Sequence, residues 1–506
     1  MSGTISESRG IAGETVIEEV LLMQPLNSSE TTSNGEGAIF DLKAMVTEIN
    51  LYEDVYTPTM YGNLVITDAI NALEKFPIYG TEVITIKLRT NQLDMASPEN
   101  MIYKSFQLYK ISDVVLNTDR EAFYKLHFTS LETFRDKTTN ITKRLSGDTA
   151  KLAKQIYDQH IQKENNSGNK LERVVLPAAS GSGTGDNITS LVITDTDSSG
   201  KHNRNITYVS NFWSPFQNMA YLARKTKGNS QKSPSYLFYE SNKAFYFSSL
   251  ETMAGTRSPF DMYAYVPETI RDFPTRALNT DGSSAYYGNA LPKNYMRIAE
   301  MKVPSRIDVL RSYNSGALAN SASMYDFTLK KVRESTYDLR KNFKDYLRTG
   351  AGSPVPYNVA PNPLARRKWC TTDLNLFGDK AMTYSATDSS AFETTPASDT
   401  YVQGANLDGM VQPNLRSAYL AGFEQFTFEI TIPGRTDMEV GVVIDILYPS
   451  VGEKLTNTAT DIYDEILTGR YLVTSIHHRI NYDDHIMYCE VVKNGLQKNL
   501  GKNTGE

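Results

Sequence analysis

Apolar and polar residues alternate along much of the first third of the chain. In the stretch Ile39 to Asn50, Phe40, Leu42, Ala44 and Val46 fall on one side and Asp41 and Lys43 on the other. Glu82 to Leu88 repeats the pattern, with Ile84, Ile86 and Leu88 set against Thr85 and Lys87. Gly62 to Thr67, Phe106 to Leu116 and Ala122 to Thr129 alternate too, and Val16 to Gln24 is an apolar run carrying Glu18 and Glu19. Successive side chains of a strand point to opposite faces, so a period of two marks half-buried antiparallel strands. Strands clustered this closely predict a barrel or sandwich. A short helix is expected over Asp68 to Lys75, stopped by Pro77.

The pattern then changes. Gly147 to Ile161 reads as a helix that Asp148 can cap, with Leu152, Ile156 and Tyr157 on one stripe. The segment 165–206 is rich in Ser, Gly, Thr, Asn and Asp around a short apolar run, Leu191 to Ile193, and reads as a polar loop or insertion. Ser214 to Lys225 carries Pro215 at a helix start, with Met219, Leu222 and Ala223 at helical spacing. Tyr236 to Tyr239 and Ala244 to Phe247 predict a hairpin around Ser241 to Lys243. Ile298 to Val303 and Met324 to Val332 read as strands, and Arg306 to Arg311 as the opening of a helix.

The last third returns to period two. Phe426, Phe428, Ile430 and Ile432 alternate with polar residues up to the turn Pro433 to Asp437, and Met438, Val440, Val442, Ile444 and Ile446 alternate beyond it, which predicts a hairpin. Tyr471 to Ile480 and His485 to Val492 predict a second one around Asn481 to Asp484. Between them and the middle lies a Ser/Thr/Asp-rich excursion, 378–413, too long for an ordinary connection. The expected architecture is mainly β: a β module, a mixed α+β middle, and a second β module.

Composition narrows the chemistry. A chain of 506 residues, 40% hydrophobic and 22% charged, can bury several domain cores. Its net charge of −6 does not suggest a chain that grips nucleic acid tightly, which needs clustered Lys and Arg. Two cysteines, Cys370 and Cys489, argue against a disulfide framework and for folding in a reducing cytoplasm. No apolar run of about 18 residues occurs, so no membrane span is expected. The polar start, Met1 to Glu14, lacks the features of a signal peptide. The 31 tyrosines, against 2 tryptophans, suit strands and subunit contacts.

Catalytic and metal-binding patterns are missing. The histidines are His127, His160, His202, His477, His478 and His485, with no His-Glu-x-x-His motif and no cysteine cluster. His477 and His478 are neighbours on a strand and point to opposite faces, while His485 can approach one of them across the turn. Gly181 to Gly185 lacks the Gly-Lys-Ser/Thr of a phosphate loop and reads as a linker. Asp483-Asp484 reads as a turn pair, and Arg366-Arg367-Lys368-Trp369 as a solvated basic loop. We therefore expect no catalytic residue, no cofactor and no metal.

Three segments carry a resemblance. Leu51 to Asp68 has Glu53-Asp54 at a strand end, Gly62 inside the next strand and Asp68 opening a short helix; it continues through Pro77 and Gly80 to Glu82. This resembles the N-terminal barrel of baseplate hub proteins from contractile-tailed phages, the family of the phage T4 hub, related to secretion-spike base proteins. In that pattern Gly62 permits close backbone approach, Asp68 caps, Pro77 stops the helix, and Gly80 turns the chain into the strand that Glu82 opens. Tyr325 to Asp338 is similar to the strand that leads such proteins into their later barrel. Leu467 to His478, with Gly469 and Tyr471, is similar to their Gly-x-Tyr-x-Val strand.

The resemblance implies two tube-like antiparallel β-barrel domains, at 1–140 and 301–506, flanking an inserted α+β domain at 141–300. It implies a structural hub in the virion's tail baseplate: a homotrimer joining the six-fold tail tube protein to the three-fold central spike protein. Baseplate wedge or sheath-proximal proteins and the tape-measure protein would be neighbours, and DNA would be present only in transit. The loops 165–206 and 378–413 have no counterpart in the pattern. The alternatives are the spike-base protein of a bacterial contractile injection system and a β-rich carbohydrate-binding or adhesion protein. A C-terminal needle or effector would favour the former, and the polar segment up to Glu506 shows neither.

Overall fold

A computed structural model describes residues 13–24, 39–76, 78–80, 82–90, 100–118, 121–162, 191–202, 205–229, 234–256, 258–260, 262–265, 296–305, 348–349, 416, 418–423, 426–449, 464, 466–482 and 484–496, and the backbone of 276–278, 284–286, 319–326, 331–338 and 380–387. The fold is mainly β, with a few short helices.

The first third contributes β1 (Thr15–Met23), β2 (Ile39–Asp41), β3 (Val46–Asp54), β4 (Tyr61–Asp68), β5 (Val83–Thr90), β6 (Met101–Thr118) and β7 (Glu121–Ser130), with the short helix α1 (Ala72–Lys75) after β4. They pair antiparallel in the order β2–β1–β5–β6–β7–β4–β3. Their inward residues, among them Val20, Leu51, Leu64, Ile84, Phe106 and Leu126, pack into one core. The alternation over Ile39 to Asn50 is not one strand. The chain turns at 42–45, so β2 pairs with β1 while β3 pairs with β4. Leu42 N donates to Val20 O and Thr67 N to Met45 O, and a bulge between Val46 and Glu48 shifts the phase.

The middle contains α2 (Leu131–Thr138), β8 (Arg144–Asp148), α3 (Thr149–Ile156) continuing into a π turn at Tyr157–Ile161, β9 (Leu191–Ile193), β10 (Asn205–Val209), α4 (Pro215–Lys225), β11 (Tyr236–Glu240), β12 (Phe245–Ser249) and α5 (Leu250–Gly255). Asp148 caps α3 by accepting from Ala150 N and Lys151 N. Ser214 and Gln217 form a reciprocal capping box on α4. The predicted hairpin is β11–β12. The apolar run within the predicted polar loop is a strand, β9, lying parallel to β12. A separate core forms here, from Tyr157, Met219, Leu222, Tyr236, Phe245 and Phe247 among others.

Next come β13 (Tyr263–Tyr265), β14 (Arg276–Leu278), β15 (Ser284–Tyr286), β16 (Arg297–Ile298), β17 (Glu300–Ser305), β18 (Ala319–Asp326), β19 (Lys331–Asp338), β20 (Lys380–Thr387), β21 (Thr427–Pro433), β22 (Val443–Leu447), β23 (Gly469–Asn481) and β24 (His485–Val492). The strand expected over Met324 to Val332 is two: β18 and β19 pair with each other, and with β20 they form a separate three-stranded sheet. The strands flanking Pro433 do not pair with each other. β21 lies between β17 and β24, and β22 between β13 and β23. Gly441, at φ +83°, re-aims the chain between them. The hairpin β23–β24 forms as expected. The helix expected from Arg306 and the helix stop at Pro77 lie outside the described residues.

β23 joins the two β regions. On one edge, Gly469 to Leu472 pair with β22 and Ser475 to Asn481 pair with β3; along the other edge runs β24. The result is one continuous, mostly antiparallel sheet of 14 strands. Among the described residues, no strand pairing closes either half into a separate barrel. The last core, with Phe426, Phe428, Ile444, Tyr471, Ile476 and Cys489, begins where the first ends: Leu51 belongs to one and Val55 to the other.

Candidate functional site

The motif residues do local structural work, and Glu53 and Asp54 lie where β3 meets β23. A Cβ at Gly62 would lie 2.3 Å from Asn50 O and 2.7 Å from the Phe128 ring, so only glycine lets β3, β4 and β7 approach this closely. Asp68 is buried and accepts from Ile70 N (3.0 Å) and Ala72 N (2.7 Å), ordering the turn into α1. Glu82 is fully buried, and its two oxygens accept from Tyr79 N and Gly80 N, each at 2.7 Å; Gly80 has φ +90°. Gly469 starts β23 at φ +136°, and the Tyr471 hydroxyl donates to Leu467 O beneath the Lys493 ammonium, 5.0 Å from the ring centroid. Asp54 accepts from Tyr56 N, and burial raises its carboxyl. Glu53 differs from the rest. It is buried, and neither oxygen has a hydrogen-bond partner among the described residues.

Glu53 sits on a polar seam between the cores. Its Oε1 is 3.6 Å from His478 Nε2. His478 Nδ1 is 3.0 Å from His485 Nε2, and His485 Nδ1 is 2.9 Å from Thr15 Oγ1. His485 N also donates to Gly13 O, and its ring lies against Gly434, where a Cβ would fall 2.0 Å from Cγ. As expected, His477 and His478 point to opposite faces and His485 meets one of them. Among the described residues, no group of three or more His, Cys, Asp or Glu is placed to hold a metal ion.

The middle region is latched to the first across the same seam. Lys104 of β6 and Glu240 of β11 form an ion pair at 2.7 Å, with side-chain exposures of 4% and 0%. Glu240 also accepts from Met60 N and Ser130 Oγ, and Lys104 donates to Ser241 O. Thr90 and Thr436 exchange hydrogen bonds between the first and last regions. Ser241 and Tyr246 donate to Glu439, and Gly441 admits the Tyr239 hydroxyl. The sequence reading passed over Lys104 and Glu240, which are 136 positions apart. The available signal was a charge at a core-phase position of a strand, Lys104 between Ile102 and Phe106.

The opposite face of the sheet carries two rows in register. Tyr488, His477, Tyr52 and Tyr61 align across β24, β23, β3 and β4, with successive ring centroids 5.5, 4.4 and 5.0 Å apart and nearly parallel planes. Beside them run Glu429, Glu490, Ser475 and Asp54. Burial and the neighbouring Asp54 and Glu429 raise the Glu490 carboxyl. The rings face one another, so the row presents edges and hydroxyls rather than open stacking faces for a sugar.

No family model and no curated protein matches the chain. Solved structures do. It is similar to the 43 kDa tail protein of prophage MuSo2 from Shewanella oneidensis, with 10% identity, 94% of this chain and 98% of that one covered, and a TM-score of 0.46. It is similar to a tail protein from Neisseria meningitidis MC58 at 8% identity, covering 94% and 97%, with a TM-score of 0.44. It is also similar to the E. coli c3393 protein, a type VI secretion component described as resembling the T4 tail proteins gp27 and gp5, at 8% identity, covering 90% and 76%, with a TM-score of 0.36. No helix among the described residues is long and apolar enough to cross a membrane.

Proposed function

We propose that the chain is a structural baseplate hub of a contractile phage tail rather than an enzyme. Each β region serves as a tube-like module, and three copies place six modules around an axis. Such a ring meets a six-fold tail tube on one side and a three-fold spike on the other, with wedge or sheath-proximal proteins outside. DNA and the tape-measure protein pass through its channel. The observation that carries this reading is β23, which fixes two β regions side by side in one chain by pairing with β22 and β3 along a single edge.

The rows on the outer face support a channel wall. They offer carboxylates and ring edges, and Lys302, Arg479 and Lys125 near them are paired with Glu300, Glu48 and Asp113. A wall of this kind gives phosphate little to bind, since retention of DNA needs unpaired Lys and Arg. Electron microscopy of the purified protein tests the reading. Three-fold rings with six lobes and an open centre are expected; a stable dimer as the only oligomer refutes it.

A further inference from the structure

Thr15, His485, His478 and Glu53 form an unbroken line of buried polar groups across four strands, β1, β24, β23 and β3. The atoms along it constrain how many protons it can hold. With a carboxylate at Glu53 and one imidazolium, every contact is complementary. His478 directs Nε2–H at Glu53 and donates Nδ1–H to His485 Nε2, and His485 donates Nδ1–H to Thr15 Oγ1. The line is then neutral overall.

Other proton counts are costly. Without that proton the two hydrogen bonds at the His485 ring reverse: Thr15 O–H donates to His485 and His485 donates to His478. One negative charge is left in the interior. A proton beyond the first leaves one uncompensated positive charge, wherever it goes. On His485 it turns Nε2–H against His478 Nδ1–H at 3.0 Å, donor against donor. On Glu53 it removes the counter-ion of His478. An uncompensated buried charge is strongly disfavoured.

We propose that this line holds one shared proton, and that taking up a second unfastens β1 from β24, making the seam an acid-sensitive clasp. His485 is the fastening point. It binds Gly13 O through its amide and Thr15 through its ring, and Gly434 leaves space for that ring. β1 keeps its other partner, β5, so the opening is local: the edge of the first region parts from β24 while the sheet stays paired elsewhere.

The buried thiol and hydroxyls beside the line stay neutral and do not supply the missing charge, and Arg435, next to Gly434, is paired with Asp437. Cys489 of β24, Tyr239 of β11 and Tyr246 of β12 all feel the Glu53 charge, and burial pushes each of them up. Glu439 accepts from Tyr246 one step further out, and His477 lies on the opposite face of β23. Burial and His478 together hold His485 well below the usual imidazole range. Its contribution to stability is therefore present above the unfolded value and lost as pH falls below it.

Hydrogen exchange on the full chain at pH 7.5 and 5.0, corrected for intrinsic rates, reads the clasp directly. Protection of the His485 amide, which donates to Gly13 O, is expected to drop at least tenfold at pH 5.0 while β6 and β7 keep theirs. His477→Gln is expected to retain this response. His485→Gln is expected to lose protection of the amide at position 485 at both pH values. Unchanged protection of that amide in the wild-type chain, or equal loosening of every strand, overturns the proposal without recourse to any variant. Neither result bears on the oligomeric ring, which electron microscopy reads separately.

Discussion

Replacing Lys104 with Met removes one half of the ion pair that fastens the middle region to the first. At 2.7 Å, the Coulomb attraction at an effective dielectric constant of about 20 is about 6 kcal/mol. Desolvating two ions costs several kcal/mol each, so the intact pair adds little net stability. Breaking it is different. In Lys104→Met the Glu240 carboxylate stays buried with only Met60 N and Ser130 Oγ as donors, and a loss of about 3–5 kcal/mol is expected. Glu240→Gln should also destabilise, because it takes away the ammonium's carboxylate partner at 2.7 Å. The double variant Lys104→Met/Glu240→Gln removes both charges of the pair and should lose only about 1–2 kcal/mol, giving a coupling of at least about 2 kcal/mol. Urea unfolding followed by tryptophan fluorescence in a Trp369→Phe background, where Trp213 of the middle region reports alone, measures all three. Two results would refute the reasoning: a Lys104→Met loss under about 1 kcal/mol, or a double variant as damaging as the sum of the singles.

Three further outcomes are expected. Gly62→Ala should destabilise by about 2–3 kcal/mol, because its methyl meets the Asn50 carbonyl, which cannot yield; a change in urea midpoint worth under about 0.5 kcal/mol would contradict the close approach. Lys493 is buried with its ammonium on Ile466 O and Thr468 O, and burial lowers its pKa to about 7. The unfolded chain then binds the extra proton between pH 7 and the ordinary lysine value, so stability should rise with pH over that window by on the order of 4 kcal/mol; Lys493→Met should flatten the slope, as thermal melts across pH would record. Glu429→Lys with Glu490→Lys should convert a non-retentive face into one that binds double-stranded DNA with steep salt dependence, measured by fluorescence anisotropy; no gain at low salt would count against the wall reading.

Much of the fold was legible because half-buried strands write their burial into the sequence. β4, the first half of β6, the middle of β7 and most of β24 alternate in burial, and the caps Asp148 and Ser214 stand where helix starts need them. Pairing was less legible. From Thr427 to Val440 burial alternates straight through the Pro433 turn, so nothing local distinguishes a strand returning on itself from two strands bound for different neighbours. The bulge at Val46 to Glu48 hid a corner in the same way, by resetting the phase within a run that still looked periodic. At the seam, His485 approaching His478 followed from turn length, and the opposite faces of His477 and His478 from strand geometry. Glu53 was picked out by the motif alone, and its isolation depends on which strands lie over it. Lys104 with Glu240, and Thr90 with Thr436, are contacts between regions that only the assembled chain brings together.

The strand β23 has a mechanical consequence. Tension in the last β region runs along the thirteen residues of β23 and passes to the first through the β23–β3 hydrogen-bond ladder. Pulling the regions apart along that strand loads its flanking hydrogen bonds in shear, so they resist together instead of opening one at a time. A load across this junction is therefore shared over the whole β23–β3 ladder.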